Sequence, residues 1–222
     1  IKEGKSREEA ERFTRQLGID VIPAGSLAQS LKIAAADART WALVFMYFAS
    51  FGGFEALTEW LPTYWKLFLG VSAVMAGILT GVVYSLLTAL TRVPGGWLSD
   101  KVGGELMCIV AYTLEAIGSI VFIISHALPT SIVAEIIMAT GMGVANGAVY
   151  KLVPKYSPKA VSGSSGLVGG LGSAGGLAIP PAMGYIASIL NFPDSFIVFL
   201  VISIVSILLS IILWNIGKKV TA

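Results

Sequence analysis

Residues 92–104 read Arg92-Val93-Pro94-Gly95-Gly96-Trp97-Leu98-Ser99-Asp100-Lys101-Val102-Gly103-Gly104. They join two long apolar runs, 72–98 and 105–125, through a short charged turn. Each run is near or above the ~20 residues a helix needs to cross hydrocarbon. Arg92 stands eight residues before Asp100. That places it about 12 Å inside the helix, at ~1.5 Å per residue. An arginine at such a depth is desolvated, costs at least ~2.5 kcal/mol, and must face a cavity or a partner.

Four further apolar segments flank this pair: 40–61, 129–149, 162–189 and 195–216. The whole chain has 222 residues, 55% of them hydrophobic, and a mean hydropathy of +0.82. Only 13% are charged, against about 25% in an average soluble domain. Of 28 charged residues, 13 lie in the first 39 positions and 13 in the 178 positions from Thr40 to Gly217. The reading is an all-α membrane protein with six transmembrane helices, over 39–222, behind a polar arm, 1–38. The net charge of +2 is too small for a nucleic-acid binder. A single cysteine, Cys108, and a single histidine, His126, exclude an internal disulfide and the usual zinc sites. No metal site and no cofactor are expected. The first residue is Ile1 and the start is polar, so the chain reads as a piece of a longer protein.

In the arm, Ser6 to Glu9 fits a capping box, with a thin stripe of Ala10, Phe13 and Leu17 and a stop at Gly18. Pro23 and Gly25 break the chain. Ser26 caps a second expected helix with Leu27, Leu31 and Ala35 on one side, lying on the membrane surface; a loose linker is the alternative. The basic residues near the span ends set the orientation. Lys32, Arg39, Lys101, Lys151, Lys155, Lys159, Lys218 and Lys219 lie on one side and only Lys66 on the other. The basic side is expected to be cytoplasmic, with both chain ends in the cytoplasm and the spans in the cytoplasmic (inner) cell membrane. Trp41, Trp97 and Trp214, and at the outer end Trp60, Tyr64 and Trp65, read as interfacial aromatics.

Several side chains within the spans carry chemistry. Gly81, Ser85, Thr88, Arg92 and Gly96 fall on one helix face at spacings of three and four. A guanidinium offers a planar fork of donors that suits a small planar oxyanion. The alternative is an arginine that snorkels to headgroups or pairs with a carboxylate. Tyr47, Phe51, Phe54 and Thr58 also share a face, either for packing or, through the polar tip of Tyr47, for a site. Eight glycines occupy positions 163–184, ahead of and around Pro180-Pro181. Such a segment either packs helices closely or brings backbone up to a substrate. Asn146, beside Gly143 and Gly147, is an interhelical hydrogen bond or a substrate contact. Glu55, Glu115 and Glu135 lie within spans and are candidates for proton coupling or for structural pairing.

The 92–104 stretch resembles the inner-loop signature of the major facilitator superfamily, which joins the second and third helices of a half. The resemblance implies that Gly95 and Gly96 let helices pack and that Asp100 and Lys101 bracket a cytoplasmic gate. Residues 143–147 and the run Ser165-Gly166-Leu167-Val168-Gly169-Gly170-Leu171-Gly172-Ser173-Ala174-Gly175-Gly176 resemble the nitrate/nitrite porter family, which has a glycine-rich fifth helix in each half. By that resemblance Arg92 is the nitrate-binding arginine of this half, and Tyr47 and Phe51 face the substrate. Asn146 and Ser173 are further candidate contacts, and Gly166, Gly169, Gly170, Gly172, Gly175 and Gly176 are conformational glycines. The family binds its anion between two arginines. Only Arg92 is present here, so the resemblance implies a C-terminal six-helix half whose partner is a missing N-terminal half. The expected function is nitrate/nitrite transport by alternating access, as antiport or proton symport. A carrier for a small organic anion such as a monocarboxylate is the alternative. A six-helix scaffold or sensor fits the deep Arg92 poorly, and nothing in the sequence resembles an enzyme's site.

Overall fold

The computed structural model describes residues 26–221, with side chains to Gly217. The helix expected between Ser6 and Gly18, the break at Pro23 and Gly25, and the side chains of Lys218 and Lys219 lie outside the described residues. The described chain is helical, with no strand. A short helix, α1 (Leu27–Ala36), precedes the long ones. These are α2 (Ala38–Phe68), α3 (Ala73–Val102), α4 (Gly104–Ile124) and α5 (Leu128–Tyr156). Next come α6 (Val161–Ser173) and α7 (Gly175–Ile189). A 3-10 turn, Pro193–Phe196, leads into α8 (Ile197–Thr221).

The caps follow the sequence chemistry. The Ser26 hydroxyl accepts from Gln29 N–H at 3.3 Å and opens α1. Asp37 accepts from Arg39 N–H at 2.9 Å and opens α2. Its hydrogen bonds to the Arg39 side chain hold the Asp37 carboxyl below the ordinary carboxylate range. Gly103, at φ +98°, ends α3 in a conformation that suits glycine.

Two differences from the expected six spans matter. The fifth span is not one helix. It is α6 and α7, each shorter than a bilayer crossing, meeting at Ala174. Glycine-rich sequence weakens a helix by about 1 kcal/mol per glycine, and here continuity is lost between Ser173 and Gly175. Helices α2 and α3 also contain π-helical turns, at Phe48–Gly52, Tyr64–Phe68 and Leu79–Leu86. The Ser85 hydroxyl donates to the Thr80 carbonyl five residues back at 2.8 Å, in step with the wider turn.

Two apolar clusters form the core. The one nearer the basic end gathers Leu43, Met46, Tyr47, Tyr112, Val149 and Leu152. The other gathers Leu57, Leu61, Tyr64, Trp65, Phe122 and Phe196. Phe122 and Phe196 stack with centroids 4.0 Å apart. Tyr64 and Trp65 are thus fully buried and do not form the expected outer belt. Their sequence position at a span end was the misleading signal, because α2 extends to Phe68. Trp41 and Trp97 are exposed, as an interfacial role requires. Helix α1 docks on α6 through Ser30 and Ala34, which are buried, whereas Leu27 and Ala35 are exposed. Gly163 N–H donates to the Ser30 hydroxyl at 3.0 Å. The packed face is therefore the small-residue face, not the expected apolar stripe.

Helix α5 packs on α2, α3 and α4, and α8 packs on α4. One side of α3 stays uncovered along Val74, Ile78, Val82, Leu86, Leu90 and Val93.

Candidate functional site

The glycines on α6 and α7 set the geometry around α2. A Cβ added to Gly52 would stand 2.6 Å from the Gly172 carbonyl oxygen and 2.6 Å from Gly175 Cα. One added to Gly175 would stand 2.6 Å from the Phe48 carbonyl oxygen, and one on Gly172 would stand 2.7 Å from the Tyr47 ring. Peptide groups therefore meet across this seam, as small residues permit in membranes. Gly176 clears the side chain of Glu55, and Gly169 clears the hydroxyl of Tyr150. Gly166 and Gly170 face open space. On the other flank, a Cβ at Gly95 would stand 2.6 Å from Val144 Cα. Gly96 meets no such obstacle itself, but leaves room for Gly147.

This packing gathers an aromatic group beside Arg92. Tyr47 and Phe51 stack with centroids 5.1 Å apart and planes within 6°. Tyr150 meets the Tyr47 ring edge-on at 4.8 Å. Phe51 continues to Phe54 at 6.0 Å, and Phe54 to Tyr84 at 5.8 Å. Such pairs contribute about 0.5–1.5 kcal/mol each beyond burial, enough to fix ring orientation. The π-helical turn falls between Tyr47 and Gly53, where such insertions often accompany functional positions.

Arg92 has an Nη2 atom 3.5 Å from the Tyr47 hydroxyl, a long contact, and its guanidinium carbon 6.0 Å from the Phe51 ring centre. No carboxylate pairs with it among the described residues. Its side chain is exposed, and the apolar side of α3 is uncovered as well. The polar face expected on α3 divides. Thr88 is buried and its backbone lies against Gly143, while Ser85 lines a groove further along.

That groove, of about 480 Å³, is lined by Phe54, Glu55, Thr58, Glu59, Ser85 and Ser173, with Gly176 and Leu177. Ser173 donates to the Gly170 carbonyl at 2.9 Å and does not reach Arg92's aromatic group through any hydrogen bond. Asn146 is buried, and its amide oxygen has no hydrogen-bond partner. Of the three carboxylates, Glu55 is half-buried and borders the groove. Glu115 and Glu135 are fully buried among the helices. The Ser203 hydroxyl donates to Glu115 at 3.4 Å. Glu135 lies alongside the Trp65 indole, but the two are not aligned for a hydrogen bond, and its oxygens have no other partner among the described residues.

The basic end carries contacts the sequence reading missed. Asp100 pairs with Lys151 of α5. Lys101 lies 3.7 Å over the Trp97 ring. Glu105 accepts from Lys155 and from the Tyr156 hydroxyl. Tyr150 was missed as well. Its place four residues after Asn146, on one helix face, was the available signal.

A family model described as Major Facilitator Superfamily matches residues 43–220. The chain is 32% identical over 189 residues to the probable nitrate/nitrite antiporter NarK1 of Thermus thermophilus, covering 75% of this chain and 42% of that protein. It is 35% identical over 158 residues to the probable nitrate/nitrite transporter NarK2 of Mycobacterium tuberculosis, covering 69% and 39%. It is 28% identical over 193 residues to the probable nitrate transporter NarT of Staphylococcus haemolyticus, covering 87% and 49%. The chain thus spans less than half the length of these relatives. A crystal structure of a bacterial homologue of the human lysosomal transporter Spinster, inward-facing and unoccupied, resembles it with a TM-score of 0.60 at 20% identity. The likeness covers 94% of this chain and 52% of that one, and is a likeness of fold.

Proposed function

This chain belongs to the Major Facilitator Superfamily, and we propose that it is the C-terminal half of a nitrate/nitrite carrier. The family is one of multi-pass membrane carriers, not enzymes. The observation that carries the proposal is Arg92. It is an unpaired guanidinium deep in a span, exposed on a helix whose apolar side is also uncovered. Facing lipid it would cost several kcal/mol, on the order of 3 or more, so a second body must close over it. A six-helix N-terminal half, bringing the second cation implied by the resemblance, supplies that wall. The names of the relatives point to nitrate and nitrite as the anion.

In this reading Arg92 clamps the planar anion through charge-assisted hydrogen bonds. Tyr47 adds a hydroxyl from beside it, and Phe51 offers a flat apolar face that disfavours bulkier tetrahedral anions. Asn146, buried in the same half, would meet an anion through its amide N–H2 donors, and Ser173 belongs to the groove further out. The basic end is cytoplasmic, where Asp100, Lys101 and Lys151 bracket the gate. Residues 1–38 form the central cytoplasmic loop and 39–222 the membrane half. The glycine seam lets α6 and α7 shift against α2 during alternating access.

Counterflow of labelled nitrite into nitrate-loaded liposomes tests the proposal. Exchange is expected with this chain joined to its upstream half, and none with this chain alone. Absence of exchange in the complete protein, with or without an imposed proton gradient, would sink it; inhibition by monocarboxylates but not by nitrate would redirect it to organic anions.

Tyr47→Phe is expected to weaken nitrate affinity about 2- to 10-fold, the worth of one hydrogen bond, in concentration-dependent counterflow. Glu115→Gln and Glu135→Gln are expected to leave exchange within about twofold and the unfolding temperature undiminished. An amide replaces each carboxyl group where no cation pairs with it among the described residues. Loss of transport in either, with the unfolding temperature kept, would make that residue a proton carrier.

A further inference from the structure

We propose that a cavity at the basic end, lined by Arg39, Lys155 and Lys159, binds an anionic phosphate group, supplied by a lipid headgroup or by free phosphate. The site is separate from the Arg92 face and does not depend on which anion is transported. The cavity has a volume of about 250 Å³ and lies between α1, the start of α2 and the α5–α6 turn. That is far more space than a single ordered water needs.

The walls are fixed by the fold. The Thr40 hydroxyl bonds those of Ser157 and Ser164 at 3.1 and 3.3 Å, tying the α5–α6 turn to α2 and α6. Ile33 and Ala34 of α1 close another side.

Charge gives the cavity its selectivity. Three cations and one carboxylate, Asp37, line it. Arg39 holds Asp37 through Nε at 2.9 Å and Nη2 at 2.6 Å, which leaves Nη1 without a partner among the described residues. Lys155 reaches Glu105, behind the wall, at 2.5 Å. Lys159 pairs with no carboxylate among the described residues. With both carboxylates counted, three positive charges face two negative ones. An excess cation beside a free guanidinium edge suits a compact phosphate oxyanion, which takes both a directional donor and a point charge.

The level in the membrane also fits. Trp41, two residues beyond Arg39, is exposed, and its indole N–H donates to the Ala35 carbonyl at 2.9 Å. Tryptophan favours the headgroup level, so the cavity opens where phosphates of a bilayer stand. A bound phosphate would hold α1 and the α5–α6 turn together.

The test uses the complete transporter, purified and stripped of lipid, with binding followed by native mass spectrometry and by the shift in unfolding temperature. The probes are phosphatidylglycerol, phosphatidylcholine and inorganic phosphate. Lys159→Gln and Lys159→Glu alter an exposed side chain and are expected to fold, which the unliganded unfolding temperature verifies. Phosphatidylglycerol should bind more tightly than phosphatidylcholine. Its affinity should fall about fivefold in Lys159→Gln and further in Lys159→Glu, and stay unchanged in the control Lys66→Gln at the opposite end. A Lys159-dependent effect of phosphatidylglycerol alone assigns the site to a headgroup, and the same effect with inorganic phosphate assigns it to the free anion. If the Lys159 variants bind both probes as tightly as the parent, or the parent binds neither, the proposal is wrong.

Discussion

Arg92→Lys in the complete transporter should weaken nitrate binding by roughly 100-fold while leaving the protein folded. A lysine keeps the charge but replaces a planar fork of donors with a compact ammonium. Hydrogen bonds between charged partners are worth about 1.5–3 kcal/mol, and one of the pair is lost. At about 1.4 kcal/mol per tenfold, a lost strong bond plus misplacement of the other reaches that size. Folding is spared because Arg92 is exposed in this half and makes only the long contact to Tyr47. Titration calorimetry with nitrate reads the affinity, and detergent unfolding reads the stability. Parental affinity in this variant would place the anion elsewhere.

Gly52→Ala should have the opposite profile, costing stability and transport together. The added methyl would meet the Gly172 carbonyl oxygen and Gly175 Cα at 2.6 Å. Both are backbone atoms and cannot rotate aside. Overpacking of this kind typically costs about 1–3 kcal/mol. Here it also spreads α2 from α6 and α7, which moves Tyr47 off the Gly172 face it rests on. Exchange should fall below detection, and the unfolding temperature should drop. Gly184→Ala is the control. Its methyl would meet Trp60 at 3.8 Å, an ordinary van der Waals distance. Exchange should survive there. Equal tolerance at both positions would mean that the seam is looser than its backbone contacts indicate.

Much of this was legible in the sequence because membranes impose simple rules. Runs of apolar residues at bilayer length gave the spans from α2 through α5 and α8, and the spacing of Tyr47 and Phe51 gave a stacked pair. The 92–104 turn fixed the depth of Arg92, and the family resemblance alone grouped it with them. Four things were hidden. The break at Ala174 was hidden because glycine counts do not say where continuity fails. The π-helical turns were hidden because they leave no composition signal, and they changed what Thr88 and Ser85 face. The burial of Tyr64 and Trp65 was hidden because an interfacial aromatic and a core aromatic look alike at a span end. Ion pairs such as Asp100–Lys151 join distant positions, and single-chain spacing carries no information about them.

Where Gly52 of α2 meets Gly172 and Gly175, backbone touches backbone, with the Tyr47 and Glu55 side chains to either side. Interleaved side chains act as detents: moving past them means breaking one set of rotamers and finding another. A bare backbone contact has no detents. Along that short stretch it offers a smooth bearing surface. Such a bearing cannot by itself decide where to stop. That decision falls to the fastenings at its margins, the Thr40–Ser164 hydroxyl bond between α2 and α6 at one end, and Arg92 beside Tyr47 with whatever it holds.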